Sequence, residues 1–475
     1  MKYASLVTVV VVSLVLTSSL GLPAVAQGGV GEIKIGVVAS LTGSASATGT
    51  DMWQSAVLAA EEINAKGGVM VNGVPMTITL VQGDDASTRE GGVEVVTRLI
   101  TVDKVDILVG GFSSGVTKAD SVVAAEHKVP FIITGASSPE LTHRTDIDTS
   151  YFFHHCPTTD DYGERTTIFV DEIVKPAIYK CFTIAEDQPL RLAVLYQDSA
   201  YGIGVYNATE QTIKKYNLNI EIVAAEKFKM GETDFRTPLT VIKAAKPDVI
   251  YPAAFLNEQT LIVTQGRKDV GLDTIYLSVE CNDDPDYYTG VERWGEYSIQ
   301  ESRFGPYAIP AGPLQEPVTK FRNDFAARWG APPSMMGAST YEGVYIAAEA
   351  VKNAGTVDKA KVRDALAAIE LPQMVEAMQN GKITFTPDFR ESKFDLYMQQ
   401  LIWDNTAGET RPKIVWPDSV KEMEFALPDW YEPGTTPAPT EAPTGSPTPK
   451  EPGFGAACAI AGLLAVAYLV RRREQ

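Results

Sequence analysis

Asp106-Ile107-Leu108-Val109, then Gly110-Gly111-Phe112-Ser113-Ser114-Gly115, then Val116–Glu126, then Val129–Thr134. In this stretch an apolar run breaks at two glycines, a serine-rich turn opens a helix, and a second apolar run follows. A short apolar run without polar alternation reads as a strand buried on both faces. The Gly/Ser turn before Val116 reads as a helix start. Strands separated by roughly ten to fifteen helical residues predict βαβ units and a parallel sheet covered on both sides.

The pattern extends in both directions. Before it, Ile33–Val38 reads as a strand that runs into the Gly/Ser/Thr-rich segment Ser40–Thr50. Asp51 is expected to cap a helix carrying Met52, Ala56, Ala59, Ala60 and Ile63, stopped by Gly67-Gly68; Met76–Val81 is a strand and Glu90–Thr101 a helix. After about Cys156 a second series begins, with strands at Arg191–Tyr196, Ile220–Ala225, Val249–Pro252 and Ile275–Val279. Helices are expected between them at Gly202–Tyr216, Phe235–Ala245 and Glu258–Val270. Gln315–Gly330, Ser339–Ala354 and Asp358–Ile369 read as helices completing the first lobe, and Phe394–Trp403 as a late strand returning to the second. The chain therefore crosses between two α/β lobes three times, which makes a hinge. The expected boundaries are 32–155 with 304–384 for lobe 1, and 156–303 with 385–428 for lobe 2.

The 475 residues carry 41 Lys+Arg against 60 Asp+Glu, a formal charge of −19. That acidic excess argues against a nucleic-acid partner, since phosphate contacts need Lys and Arg. With 45% apolar and 21% charged residues the composition is that of a globular protein.

The ends differ from the middle. Residues 1–27 combine Lys2, an apolar stretch from Leu6 to Leu16 and the small-residue end Ala24-Val25-Ala26, the pattern of a secretory signal peptide; an uncleaved anchor is the alternative. Residues 433–452, rich in Pro and Thr, read as a solvated spacer. Phe454–Val470 is apolar or small throughout and ends at Arg471-Arg472-Arg473. Basic residues stay on the cytoplasmic side, so the globular body lies outside the membrane. Within 453–475 and just before it, Pro452-Gly453-Phe454, the hydrophobic segment and the Arg run resemble the PGF-type C-terminal sorting signal of archaeal surface proteins. The resemblance implies a sorting protease that removes the segment, with a lipid in its place; a plain membrane tether is the other reading.

In open parallel α/β sheets, ligands bind beyond the carboxyl ends of the strands. Four segments fall there: Gly110–Gly115, Gly135-Ala136-Ser137-Ser138-Pro139-Glu140, Asp198-Ser199-Ala200-Tyr201-Gly202, and Ser278-Val279-Glu280-Cys281. Gly- and Ser-rich turns at helix starts present N–H groups and hydroxyls that suit a carboxylate. Glu280 supplies a carboxylate that could accept from an ammonium group. Ordinary helix capping explains each serine turn taken alone.

Val109–Ser114 and Thr134–Thr142, together with Ser40-Leu41-Thr42-Gly43, Glu62–Gly68, Gly83-Asp84-Asp85, Tyr201-Gly202 and Gly231–Phe235, resemble the branched-chain amino-acid (Leu/Ile/Val) binding proteins of ABC transporters over roughly residues 32–425. The resemblance implies a type I periplasmic-binding-protein fold of two Rossmann-like lobes with a three-strand hinge. It also implies a cleft that closes on its ligand and delivery to an ABC permease and its ATPase. On the family pattern Ser114, with Ser113 and nearby amides, meets the ligand carboxylate. Ala136 and Ser137 meet the α-amino group through a carbonyl and a hydroxyl, Tyr201 closes over the ligand, Glu280 pairs with the ammonium, and Phe255 falls near a family aromatic. The first-loop aromatic of the family has no counterpart: Ala47-Thr48-Gly49 is small, and Trp53 lies one turn on. A differently shaped side-chain pocket follows, and amides, urea and small aromatic acids join the candidate ligands.

Cys156 and Cys181 could form a disulfide or remain buried thiols; Cys281 should line core or pocket, and Cys458 falls in the terminal segment. His154-His155-Cys156 makes a poor chelate because adjacent residues on an extended chain face opposite ways. Asn282–Asp286 lacks the spacing of a calcium loop and reads as a solvated turn. Asn207-Ala208-Thr209 is an N-glycosylation sequon on an expected exposed helix. No Walker loop or paired catalytic His occurs, so neither enzyme activity, cofactor nor metal is expected. A sensor of the same fold, or a hydrolase pairing Glu280 with a serine, are the competing readings.

Overall fold

The computed structural model describes residues 31–434. The expected signal peptide, the spacer from residue 435 on, the C-terminal segment and Cys458 lie outside the described residues.

Two sheets organise the chain. The first contains β1 (Gly31–Ala39), β2 (Val69–Val71), β3 (Val74–Asp84), β4 (Ile107–Gly110), β5 (Phe131–Ile133) and β6 (Phe152–His154), in spatial order β2-β3-β1-β4-β5-β6. Its strands run parallel except for β2, which pairs antiparallel with β3. The helices α1 (Ser46–Ala65), α2 (Arg89–Thr101), α3 (Ser114–Glu126) and the short α4 (Glu140–His143) fill the connections. The strand called from Ile107-Leu108-Val109 sits mid-sheet and wholly buried, paired to β1 with Val37 opposite Val109. Burying one such side chain contributes roughly 1.5–3 kcal/mol.

After α5 (Thr159–Phe169) and α6 (Lys175–Phe182), the second sheet is built from β7 (Leu190–Gln197), β8 (Ile220–Phe228), β9 (Val249–Ala253), β10 (Ile275–Ser278) and β11 (Ile299–Ser302), linked by α7 (Ala200–Tyr216), α8 (Arg236–Ala244), α9 (Leu256–Thr264) and α10 (Pro285–Gly290). Three helices follow, α11 (Gln315–Trp329), α12 (Met335–Ala354) and α13 (Lys359–Ala367), then a small hairpin of β12 (Leu371–Pro372) and β13 (Lys382–Ile383). Finally β14 (Tyr397–Asp404) and β15 (Glu409–Trp416) extend the second sheet antiparallel, giving the order β15-β14-β11-β10-β9-β7-β8.

The helices after β11 return to the first sheet. Lys320 of α11 reaches Glu62 of α1 (2.8 Å), the hydroxyls of Tyr341 and Tyr345 on α12 each donate to Glu62 at 2.7 Å, and Thr340 meets Thr134 at 3.1 Å. Three passages thus join the sheets: after β6, after β11 and before β14.

Several expectations need correction. The first helix begins at Ser46, so Asp51 lies inside it rather than at its cap; its carboxylate instead accepts from the Ser334 N–H (3.1 Å) and O–H (2.5 Å) at the start of α12. Ala47-Thr48-Gly49, expected in the first loop, form the first turn of α1 instead, and Gly49 there has a steric cause, because a Cβ would lie 2.0 Å from the Ser40 carbonyl oxygen. Asn282, Asp283 and Asp284 are buried, not a solvated turn. Asp283 accepts from Tyr288 and from Gln399 (2.6 Å), while Asp284 caps α10 through the Asp286 N–H (2.7 Å). Cys156 is a buried free thiol rather than the partner of Cys181; it lies 3.5 Å from the Tyr162 hydroxyl, and burial pushes it up to about 12. Asn207 is exposed on α7 as expected. No helix among the described residues is long and apolar enough to cross a membrane.

Candidate functional site

The lobe 1 wall is made by the turns after β4 and β5. Gly110 and Gly111 both have positive φ, 117° and 78°, which lets the chain turn sharply: the Gly111 N–H donates to Val38 O and the Ala136 N–H to Gly111 O, each at 2.8 Å. This lays the two turns side by side. Ser114 Oγ accepts from the Ser138 N–H at 3.1 Å, which ties them together and leaves its own proton to donate. Ser113 sits at the N-cap of α3 without making a side-chain cap bond. The Ser114 and Gly115 N–H groups open α3, where the helix dipole favours an anion. Ser137 is buried, and its carbonyl accepts from the Thr159 N–H at 2.8 Å. The Ala136 carbonyl accepts from His154 Nε2 at 2.6 Å, so part of the acceptor capacity expected for a ligand amine is used by the protein. Burial lowers the pKa of His154, consistent with a neutral ring carrying its proton on Nε2.

Facing this wall, Phe255 of lobe 2 meets the Phe112 ring at 4.6 Å and stacks on Tyr201 at 5.1 Å. The Tyr201 hydroxyl lies 3.5 Å from Cys281 Sγ, which places Cys281 in the same lining. Met230 Sδ is 4.0 Å from Ser113 Oγ, and Asn257 donates to Ser44 O at 2.9 Å. The lobes therefore touch along the cleft. The seven expected site residues are all buried. An open groove of about 760 Å³ borders it between α3 and α7, lined by Arg89, Lys118, Ser138, Arg144 and Asn207 among others, and contains none of the seven.

Glu280 differs most from its expected setting. It is fully buried, and its Oε1 already accepts from both the Tyr162 hydroxyl and Arg303 Nη1. Its Oε2 is buried and meets no donor among the described residues. Burial drives the carboxyl upward, and Arg303 and Tyr162 only partly offset that. Behind it, Arg303 also donates to Glu376 (2.7 Å) and Ser339 (2.6 Å). Burial works to raise Glu376 too, but the charges of Arg303 and His155 hold it down at about 2. His155 Nε2 lies 2.8 Å from Glu342 and its Nδ1 2.9 Å from Ser392, whereas His154 turns the other way toward Ala136.

The sequence reading missed Tyr162, Arg303 and Glu376. Tyr162 had a legible marker: Thr158 and Asp161 form a capping box that starts α5 and sets the register of Tyr162 one residue later. Arg303 follows a four-residue strand that periodicity does not pick out.

The periplasmic binding protein family pattern matches residues 32–407. The chain belongs to the periplasmic binding protein family. Its members are solute-binding proteins rather than enzymes, which removes the hydrolase reading. A second pattern, the PGF-CTERM motif, matches residues 451–473, a C-terminal surface-anchoring signal. Among relatives, a Leu/Ile/Val-binding protein homolog of Brucella abortus is 26% identical over 404 residues, covering 84% of this chain and 94% of its own. An amino acid binding protein of Pseudomonas aeruginosa is 29% identical over 335 residues, covering 70% of this chain and 82% of its own. Of solved structures, the branched-chain amino acid transporter substrate-binding protein LivJ of Streptococcus pneumoniae, in complex with isoleucine, superposes with a TM-score of 0.67 at 26% identity over 81% of this chain and 100% of that one. An ABC-transporter solute-binding protein of Rhodopseudomonas palustris with benzoate gives 0.66 at 16% identity over 82% and 99%, a likeness of fold.

Proposed function

We propose that this protein captures an amino acid of branched-chain type, or a similar small carboxylate, between its lobes and hands it to an ABC permease with its ATPase. The observation that carries the reading is the opposition of two buried walls. The Ser113–Ser114 helix start with Ala136 and Ser137 supplies donors for a carboxylate, and Tyr201, Phe255 and the unpaired Glu280 Oε2 supply an aromatic cover and an acceptor. Charge-assisted hydrogen bonds in a closed, water-poor cleft give the affinity, and closure about the three passages gives the shape a permease reads. The lobes in this reading are 32–155 with 304–384 and 156–303 with 385–428. The C-terminal segment is cut by a sorting protease, and the protein works held at the outer face of the membrane.

One feature supports ligands without an amine as a second reading, in a transporter or a sensor: Glu280 already has Arg303 as counter-charge. Solved relatives in complex with benzoate and with 3,4-dihydroxybenzoic acid keep aromatic acids in the panel. A thermal-shift screen over amino acids, amides, urea and aromatic acids tests the proposal. A ligand at 100 times its Kd should add about 2.7 kcal/mol of stability. Ser114→Ala and Glu280→Ala should each remove most of that gain, and an undiminished gain in both variants would place the ligand elsewhere.

A further inference from the structure

Arg303 is the bulkiest of the fully buried side chains among the described residues. It stands immediately after β11, on the passage that leads from the second sheet back to the first. Each edge of its guanidinium meets a different element: Nη1 donates to Glu280 beyond β10, Nε to Glu376 Oε1 at 2.7 Å, and Nη2 to Ser339 Oγ of α12 at 2.6 Å. Ser339 in turn donates to Glu376 at 2.6 Å, and the Ala377 N–H donates to the Arg303 carbonyl at 2.9 Å. The guanidinium also lies 4.6 Å from the Phe394 ring centroid, on the passage before β14.

The chain of charges continues to the remaining passage. Glu342 Oε1 accepts from the N–H groups of Val375 and Glu376 at 2.6 and 2.9 Å, and its Oε2 meets His155, which follows β6. His155 reaches Ser392 on its other side. His155, Glu342 and Glu376 present three ligating atoms within 4.8 Å of one another, but the imidazole and the Arg303 guanidinium already supply the positive charge there.

A guanidinium presents its donors in a rigid plane. Three acceptors on three elements therefore fix its orientation, and a fixed guanidinium fixes the carboxylate it holds. We propose that Arg303 is the positioning residue of the ligand site: one edge holds Glu280, the others hold α12 and the Glu376 segment, so the place of the carboxylate in the ligand wall is set by the passages between the lobes. This rests on the reading that Glu280 faces the ligand.

A binding cycle tests it. L-leucine and benzoate are titrated calorimetrically into the wild-type protein, Arg303→Lys, Glu280→Gln and the double variant; Arg303→Lys keeps the buried charge and loses the planar fork, so the fold has its counter-ion. Each single change should weaken L-leucine binding by about tenfold, and the double change should be within about threefold of Glu280→Gln alone, because contacts in one network are not additive. Independent losses that multiply to about a hundredfold would show that Arg303 does not act through Glu280, and would overturn the inference while leaving the site reading intact. An unweakened Glu280→Gln, or a wild-type chain that binds neither probe, would overturn the site reading and this inference with it.

Discussion

The two walls of the cleft are built by different physics. In lobe 1 every group proposed to face the ligand lies within a few residues of a strand end and is held through main-chain groups: the Gly111 N–H to Val38, the Ala136 N–H to Gly111, and the Ser138 N–H to the Ser114 hydroxyl. In lobe 2 the corresponding group is a carboxylate held by Tyr162, 118 residues away in sequence, and by a guanidinium shared with Glu376 and Ser339. A backbone wall tolerates changes of side chain but not of main-chain shape. A charge-built wall tolerates neither loss of a partner nor loss of a proton, because a buried unpaired charge is costly.

The largest effect should come from the main chain of lobe 1. Gly110 has a φ of 117°, and a Cβ there would stand 2.1 Å from the Val38 carbonyl oxygen. Gly110→Val is expected to cost more than about 4 kcal/mol, the range reserved for strain of this kind. Ser113→Ala, three residues on, removes a hydroxyl that makes no cap bond and should cost under about 0.5 kcal/mol. Urea unfolding of the two variants measures the gap. Similar losses in both would mean the wall is not main-chain built.

The charge wall should respond to a single hydroxyl. Tyr162→Phe preserves the ring and removes one of the two donors to Glu280 Oε1. A hydrogen bond to a charged group contributes about 1.5–3 kcal/mol, and Arg303 remains to cover part of the loss, so about 1–2 kcal/mol is expected by the same urea assay. A change within error would show that Arg303 alone suffices.

This contrast also explains what could be read from the sequence. The lobe 1 turns were legible because Gly110-Gly111 and Gly135 punctuate apolar runs, and strand, turn and helix start all lie within ten residues or so. The core strands β1, β4, β7 and β9 were legible for the same reason. β6 and β11 were not: polar residues interrupt their short runs, His154 in β6 and Gln300 and Glu301 in β11, and they take their place only by pairing with β5 and with β10 and β14. Nor was β15, which pairs only with β14 at the sheet edge and contains Pro412. The Glu280–Arg303–Glu376 network joins residues that no local pattern connects, so Glu280 was found as an acidic residue at a strand end while its counter-charge was not.

The smallest effect separates the two kinds of carboxylate by pH. Burial raises Asp51 to about 7 from the usual 3.8, and the charge of Asp286 adds to this. A carboxyl whose folded pKa lies above its unfolded one binds its proton more tightly when folded. The stability it contributes is therefore present below about pH 4 and lost as pH rises toward 7. Glu376 behaves oppositely: held near 2 by Arg303 against burial, it stabilises above its usual 4.5 and loses that as pH falls toward 2. Asp51→Asn keeps an acceptor for the Ser334 N–H and O–H and removes the titration. Its thermal unfolding curve should coincide with that of the wild type at pH 4 and move above it by pH 8, by about 1 kcal/mol, less than a three-unit shift would give because the side chain is only partly buried. Curves that run parallel from pH 4 to pH 8 would mean that Asp51 ionises normally, and that the contact between α1 and the start of α12 is an ordinary charged cap.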